Sequence, residues 1–255
     1  LKPLLQAKHV RKVYANKGSI FTALHHIDIT IFEGEFVGIM GPSGSGKTTL
    51  LNILSTIDMP TAGEIIINDS TITKMKEEQL TTFRRDSLGF IFQEYNLLDT
   101  LTIKDNILLP LAIRNTTTAE IDRRVDEIAT LFSIQDLLNK YPFQISGGQK
   151  QLTAAARAII GNPKLVFADE PTGALDSKSA TDLLNSFQTL NEKNLATFLM
   201  VTHDPFAASY CKRVLFIKDG QIYTELVKGD MSRKEFFQKL LHILSALGGS
   251  VIDTI

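Results

Sequence analysis

An α/β fold built on a mostly parallel sheet follows from three features of this 255-residue chain. The apolar run Phe36-Val37-Gly38-Ile39-Met40 leads directly into Gly41-Pro42-Ser43-Gly44-Ser45-Gly46-Lys47-Thr48, and then into a segment of helical composition, 49–55. Strand, glycine-rich loop and helix in that order form a phosphate-binding loop. Strand-like runs at 88–92, 165–168 and 196–202 alternate with helical segments such as 180–190, which predicts parallel strands covered by helices. Between residues 96 and 161 the strand pattern gives way to helical periodicity, which predicts a helical insert.

Taken in order, Ile27, Ile29 and Ile31 alternate with polar or half-polar neighbours, so 26–31 reads as a strand with one buried face. Residues 64–68 read as a short, fully buried strand. Thr102-x-x-Asp105 and Thr117-x-x-Glu120 mark helix starts, and Ile121, Val125, Ile128, Leu131 and Phe132 form one apolar face of the second helix. Near the end, 213–217 and 221–224 flank Asp219-Gly220, a dipeptide suited to a tight hairpin turn. After Gly229, Ser232-x-x-Glu235 opens a last helix whose apolar face carries Phe236, Phe237, Leu240, Leu241 and Leu244. That face either packs on the domain or meets a partner, and the chain from Gly248 onward is expected to fray. The division is a nucleotide-binding core at 1–95 and 162–228, a helical subdomain at 96–161 and a helical extension at 229–255.

Composition narrows the function classes. A net charge of -1 leaves no basic excess for a nucleic-acid partner. No stretch approaches the roughly 18 apolar residues of a membrane span, and Leu1-Lys2-Pro3-Leu4-Leu5 lacks a signal-peptide core. Membrane association is therefore expected through a partner. The one cysteine, Cys211, forms no intrachain disulfide, fits a reducing compartment, and is expected to be a small, partly buried hydrophobe.

In the loop, glycines let backbone N–H groups turn onto phosphate oxygens, Lys47 reaches the β and γ phosphates, and the Thr48 hydroxyl ligates Mg²⁺. The helix that follows, with Thr49 in its first turn, points its positive end at the anion. A flexible Gly/Ser linker shares the composition but not the flanking strand and helix. Leu165-Val166-Phe167-Ala168 ends in Asp169-Glu170: Asp169 belongs in the metal shell and Glu170 polarises the attacking water. The competing reading is a solvated acidic pair at a strand end. Ile145-Ser146-Gly147-Gly148-Gln149 combines a capping box with two glycines at a helix start, which makes a second phosphate-binding end in the same chain.

With this last motif the chain resembles the ATP-binding-cassette (ABC) ATPases, whose signature is Ser146-Gly147-Gly148-Gln149. The resemblance covers residues 8–225 and implies an antiparallel β subdomain beside the core, ATP and Mg²⁺ as ligands, and a homodimer in which each signature faces the ATP held by the other copy. It also implies roles for single residues. Tyr14 matches the aromatic residue that stacks on adenine, and Gln93 the Mg²⁺ and water contact that links to the helical insert. Asp176, in Gly173-Ala174-Leu175-Asp176, matches a loop that reaches across the dimer, and His203, in Val201-Thr202-His203-Asp204, the histidine that senses the γ-phosphate. Read alone, Tyr14 is equally a core or edge-strand tyrosine, and a lone histidine is usually structural.

Two longer stretches, 88–110 and 168–178, resemble the mechanotransmission exporters. Residues 176–185, 205–211 and Glu235-Phe236-Phe237-Gln238 are most similar to the bacitracin-export type within them, the ATPase subunits of antimicrobial-peptide resistance transporters. That implies an integral membrane permease above the homodimer, attachment to the cytoplasmic face of the membrane, and often a sensor histidine kinase in the complex. A sister ATPase for lipoprotein release or cell-wall remodelling, and a module that reports transport to a kinase, remain as alternatives. One position departs from the pattern: residue 152 is Leu where the family has Arg. ATP binding is expected to survive, with helix contacts and hydrolysis rate altered.

Overall fold

The computed structural model describes residues 2–16, 19–114, 116–194 and 196–247. From the N-terminus, β1 (Pro3–Asn16) and β2 (Ser19–Phe32) form a long antiparallel ribbon, β3 (Phe36–Met40) runs into the glycine loop, and α1 (Lys47–Leu54) leaves it. β4 (Ala62–Ile67), β5 (Ser70–Thr71), α2 (Glu77–Ser87) and β6 (Leu88–Ile91) follow. Three helices, α3 (Ile103–Ala112), α4 (Thr118–Leu131) and α5 (Gly147–Ile159), separate β6 from β7 (Leu165–Asp169). The chain continues through α6 (Ser177–Asn194), β8 (Thr197–Val201), α7 (Pro205–Ala208), β9 (Arg213–Lys218), β10 (Gln221–Val227) and α8 (Arg233–Ala246).

The strands make two sheets. One is antiparallel, in the order β2-β1-β4-β5, and the other has the order β10-β9-β3-β8-β7-β6. In the second, β3 and β6 to β9 are parallel and β10 is the antiparallel edge. Every residue of β3 and β8 is buried, as expected of strands covered on both faces. On one face Phe36, Phe198, Met200 and Phe216 pack with Phe187 of α6 and with Phe236 and Leu240 of α8. On the other, Val37, Ile39 and Val201 pack with Leu50 and Ile53 of α1 and with Ile27, Ile29 and Ile31 from the antiparallel sheet. α1 is thereby held between the two sheets, with its N-terminus at the C-terminal ends of the parallel strands.

Residues 64–68 differ from expectation. Ile65 and Ile67 are buried while Glu64 and Ile66 are half-buried, because β4 belongs to the antiparallel sheet. Asn68 and Asp69, both at positive φ (47° and 61°), form the turn into β5. Asp219 and Gly220, at φ 48° and 70°, make the hairpin turn between β9 and β10. Thr102 caps α3 through the Asp105 N–H at 3.1 Å, whereas Thr117 precedes α4 without a side-chain cap. Ser232 and Glu235 close a reciprocal capping box on α8, and Phe236, Leu240 and Leu244 bury its apolar face against the domain. Cys211 is wholly rather than partly buried, and burial pushes its thiol pKa up. The expected fraying from Gly248 lies outside the described residues. No helix among those described is long and apolar enough to cross a membrane.

Candidate functional site

The glycine loop needs its glycines for reasons visible in its surroundings. At Gly41 a Cβ would overlap the Ile217 carbonyl oxygen, and Gly46, the residue before α1, has φ 102° with the Ala23 carbonyl 2.8 Å from where a Cβ would stand. The loop borders a cavity of about 700 Å³ lined by Gly41, Pro42, Ser43, Gly44, Gly46, Lys47, Thr48 and Thr49, together with Glu170 and His203. Lys47 Nζ donates to the Gly41 and Pro42 carbonyls, each at 2.9 Å, which draws the ammonium back over its own loop. Burial lowers the Lys47 pKa, and the negative charges of Glu170 and Asp169 oppose that shift. Ser45 is turned inward: its N–H bonds the Pro42 carbonyl, its own carbonyl accepts from Gly220, and only 3% of the residue is exposed.

β7 delivers the acids. Asp169 is its last residue, and its Oδ1 is buried with no hydrogen-bond partner among the described residues. Burial raises the Asp169 pKa, the Glu170 charge adds to this, and Lys47 opposes it. An orphaned carboxylate oxygen and the Thr48 hydroxyl are hard donors of the kind Mg²⁺ takes, with phosphate and water completing its shell. Glu170 lies in the left-handed region at φ 45°, and its N–H bonds the Val201 carbonyl at 2.9 Å. Its carboxylate meets His203 twice, at 2.9 Å from Nδ1 and at 3.2 Å from the backbone N–H. The Glu170 side chain is 16% exposed and that of His203 72%, so the acid is enclosed and the imidazole open.

The second phosphate-type end sits elsewhere. Ser146 Oγ accepts the Gln149 N–H at 3.3 Å and Gln149 Oε1 accepts the Ser146 N–H at 3.0 Å, so the Gln149 side chain is committed to the cap of α5. A Cβ on Gly148 would overlap Ser179 Oγ, and one on Gly147 would stand 3.0 Å from Tyr95 Oη. Asp176 caps α6, accepting from the Lys178 and Ser179 N–H groups at 3.0 Å and from Ser179 Oγ at 2.6 Å, bonds that hold its carboxyl below the usual pKa. Ser146, Gly148, Gln149, Leu152 and Asp176 border a second cavity of about 690 Å³, which shares no residue with the first. Leu152 is half-buried and packs against the larger core.

Tyr14 and Gln93 lie off the first cavity. Tyr14 is paired in the ladder with Phe21, and of the two it is Phe21 that lines the cavity, beside Ala23. Tyr14 Oη donates to Asp58 Oδ2 at 3.0 Å, and Lys12 Nζ lies 4.9 Å from the center of its ring. Gln93, in the segment after β6, places its amide beside Gly173. That segment is tied to α5 by two residues that motif reading did not single out: Gln151 Nε2 donates to the Phe92 carbonyl at 3.2 Å, and Arg157 donates to the Tyr95 and Asn96 carbonyls at 2.8 and 2.6 Å. The phosphate loop, Glu170 and His203 thus come together, Asp169 stands next to them, and Ser146, Gly148, Gln149 and Asp176 form a separate group.

Known proteins with this arrangement are readily found. A family model described as ABC transporter matches residues 24–173. Bacitracin export ATP-binding protein BceA of Halalkalibacterium halodurans is 57% identical over 246 residues, covering 96% of this chain and 97% of its own length. ABC transporter ATP-binding protein YxdL of Bacillus subtilis is 50% identical over 250 residues, covering 98% and 96%. Among solved structures, the dimeric post-hydrolysis state of the ATP-binding cassette MJ0796, bound to ADP and Pi, matches with a TM-score of 0.82 at 39% identity. It covers 88% of this chain and 98% of its own. Matches of 246 and 250 residues within a chain of 255 necessarily include α8. On the strength of a family match over more than half its length and relatives aligned nearly end to end, the chain belongs to the ABC transporter family, as an ATP-hydrolysing cassette.

Proposed function

We propose that this cassette powers an exporter that protects a bacterium from antimicrobial peptides of the bacitracin class, working as a homodimer beneath a membrane permease. The observation that carries the reading is the near-complete match to a bacitracin export ATP-binding protein, which extends through the C-terminal helix. The homodimer is supported by the separation of the two cavities: Ser146 and Gly148 share no wall with the phosphate loop of their own chain. A second copy supplies the missing side, by analogy with the dimeric MJ0796 cassette structures.

In this reading Tyr14 and Phe21 hold the adenine, and the loop N–H groups with Lys47 hold the phosphates. Mg²⁺, held by Thr48, Asp169 and Gln93, neutralises phosphate charge when bound. Glu170 orients the attacking water and receives its proton, while His203 at 2.9 Å keeps the carboxylate aimed and contacts the γ-phosphate. Ser146 and Gly148 of the second copy complete the phosphate shell, with Gly147 and Gln149 shaping that turn and Asp176 reaching across. Residues 96–161 move as a helical unit against the core at 1–95 and 162–228. A permease helix enters the cleft of about 400 Å³ where Phe90 and Phe92 face Pro110 and Ile113, with Ile113 60% exposed. Through Arg157 and Gln151 that cleft shares a backbone segment with Gln93.

Peptide susceptibility tests the proposal. Deletion of the gene and its Glu170→Gln replacement should both make the source organism hypersensitive to bacitracin-like or lantibiotic peptides. Unchanged susceptibility, with the permease expressed, would transfer the assignment to lipoprotein release or wall remodelling. Peptide-induced signalling that persists in the Glu170→Gln strain would indicate that a histidine kinase partner reads the complex independently of turnover.

A further inference from the structure

The walls of the ATP cavity include two residues from outside the motifs, Leu244 and Leu247, at the C-terminal end of α8. β10 ends at Val227, opposite Arg213, the first residue of β9, so the chain leaves the sheet at the edge remote from the phosphate loop. A helix of 14 residues is about 21 Å long, enough to climb the sheet and bring its last turn to the loop. α8 is anchored at its start as well. The Arg233 guanidinium carbon lies 4.4 Å from the Tyr210 ring center and 5.9 Å from that of Phe206, two rings that themselves meet edge to face at 5.7 Å. Phe206 belongs to α7, and α7 is capped by Asp204, whose Oδ1 accepts the Phe206 N–H at 2.8 Å. His203 is the residue before that cap. α8 therefore touches the site at both ends, through α7 to His203 and directly through the cavity wall.

We infer that α8 is a working wall of the ATP site in this group of cassettes: Leu244 and Leu247 close the cavity beside Glu170 and His203, and Arg233 fixes α8 on α7, so all three are positioning residues for hydrolysis. This rests on the reading of Glu170 and His203 as the hydrolysing pair. Leu244 and Leu247 are 8% and 5% exposed, so the contact is a packed one. The BceA and YxdL matches both run through α8, so the helix is part of what this chain shares with them. In the proposed reading phosphate and base are held by the loop, Tyr14 and Phe21, none of which lies on α8. Loosening α8 should therefore affect the chemical step more than nucleotide binding.

The test uses the full chain with Mg²⁺-ATP, and with fluorescent ATP and ADP analogues as binding probes. Arg233 is exposed, so Arg233→Ala leaves the core intact, and Leu247→Ser probes the wall itself. Each variant should lower kcat about fivefold or more while KM and ADP affinity stay within about twofold of wild type. Arg233→Lys, which keeps a cation over the rings, should recover most of the loss. Wild-type kcat in both variants would overturn the inference, as would a loss of ADP affinity in parallel with kcat. Glu170→Gln, measured alongside, separates the two levels. If Glu170→Gln turns over normally, the reading of the site fails with it; if it is inactive while both α8 variants match wild type, only the role of α8 falls.

Discussion

Asp169 occupies a position where its charge is costly. Its pKa is raised by burial and by the Glu170 charge, so the folded chain holds a proton there more tightly than the unfolded chain does. Below the ordinary carboxylate range both states are protonated and there is no penalty. As pH rises through the raised folded value, the ionised carboxylate lowers stability, and above that value the penalty is complete. Asp169→Asn should therefore raise the melting temperature of the nucleotide-free protein while lowering Mg²⁺-ATP turnover by about 100-fold or more; thermal denaturation and a phosphate-release assay check both halves. A variant less stable than wild type would show that Asp169 is already satisfied without a ligand. The orphaned Oδ1 argues that it is not.

Among the elements, α4 carries the most strongly perturbed surface acid. Glu120 is held at a pKa of about 2 by hydrogen bonds from Arg123 at 2.7 and 2.9 Å and from Arg124 at 2.6 Å. A depressed folded pKa stabilises above the ordinary glutamate value, and that contribution is lost as pH falls toward about 2. The melting temperature of wild type should thus fall more steeply between about pH 5 and pH 3 than that of Glu120→Gln, and the difference should shrink in high salt because the pairs are at the surface. Parallel curves would leave the pairs without a role in stability. Elements of this kind explain what the sequence disclosed and what it hid. The phosphate loop, Asp169-Glu170 and Ser146-x-x-Gln149 were legible because each is a contiguous string whose chemistry depends on spacing. β1 was not: its register shifts between Ala7 and Val10, and His9, at φ 51°, interrupts the alternation that marks a strand. α2 was hidden for the opposite reason, since Leu80 is its one buried residue and leaves no apolar stripe. Phe21, Arg157, Leu244 and Leu247 reach the site or its neighbouring segment through contacts distant in sequence, which no local pattern encodes.

At the scale of the whole molecule, the phosphate loop and the Ser146–Gln149 turn border different cavities, which the proposed homodimer would join. Glu170→Gln should bind Mg²⁺-ATP without hydrolysing it and so accumulate as a closed dimer. Light scattering should report twice the monomer mass with Mg²⁺-ATP and the monomer mass without it. A variant that stays monomeric with Mg²⁺-ATP would sink the sandwich arrangement. The separation of the half-sites also bears on the economy of the cell. If the proposed homodimer is the working unit, a subunit made in excess, or released from a damaged transporter, finds no second copy at low concentration and leaves the nucleotide pool untouched. In that dilute regime turnover would rise with the square of subunit concentration, so energy use would begin where a scaffold gathers two copies. The separation of the Ser146 and Lys47 cavities in the folded chain would then work as an assembly checkpoint.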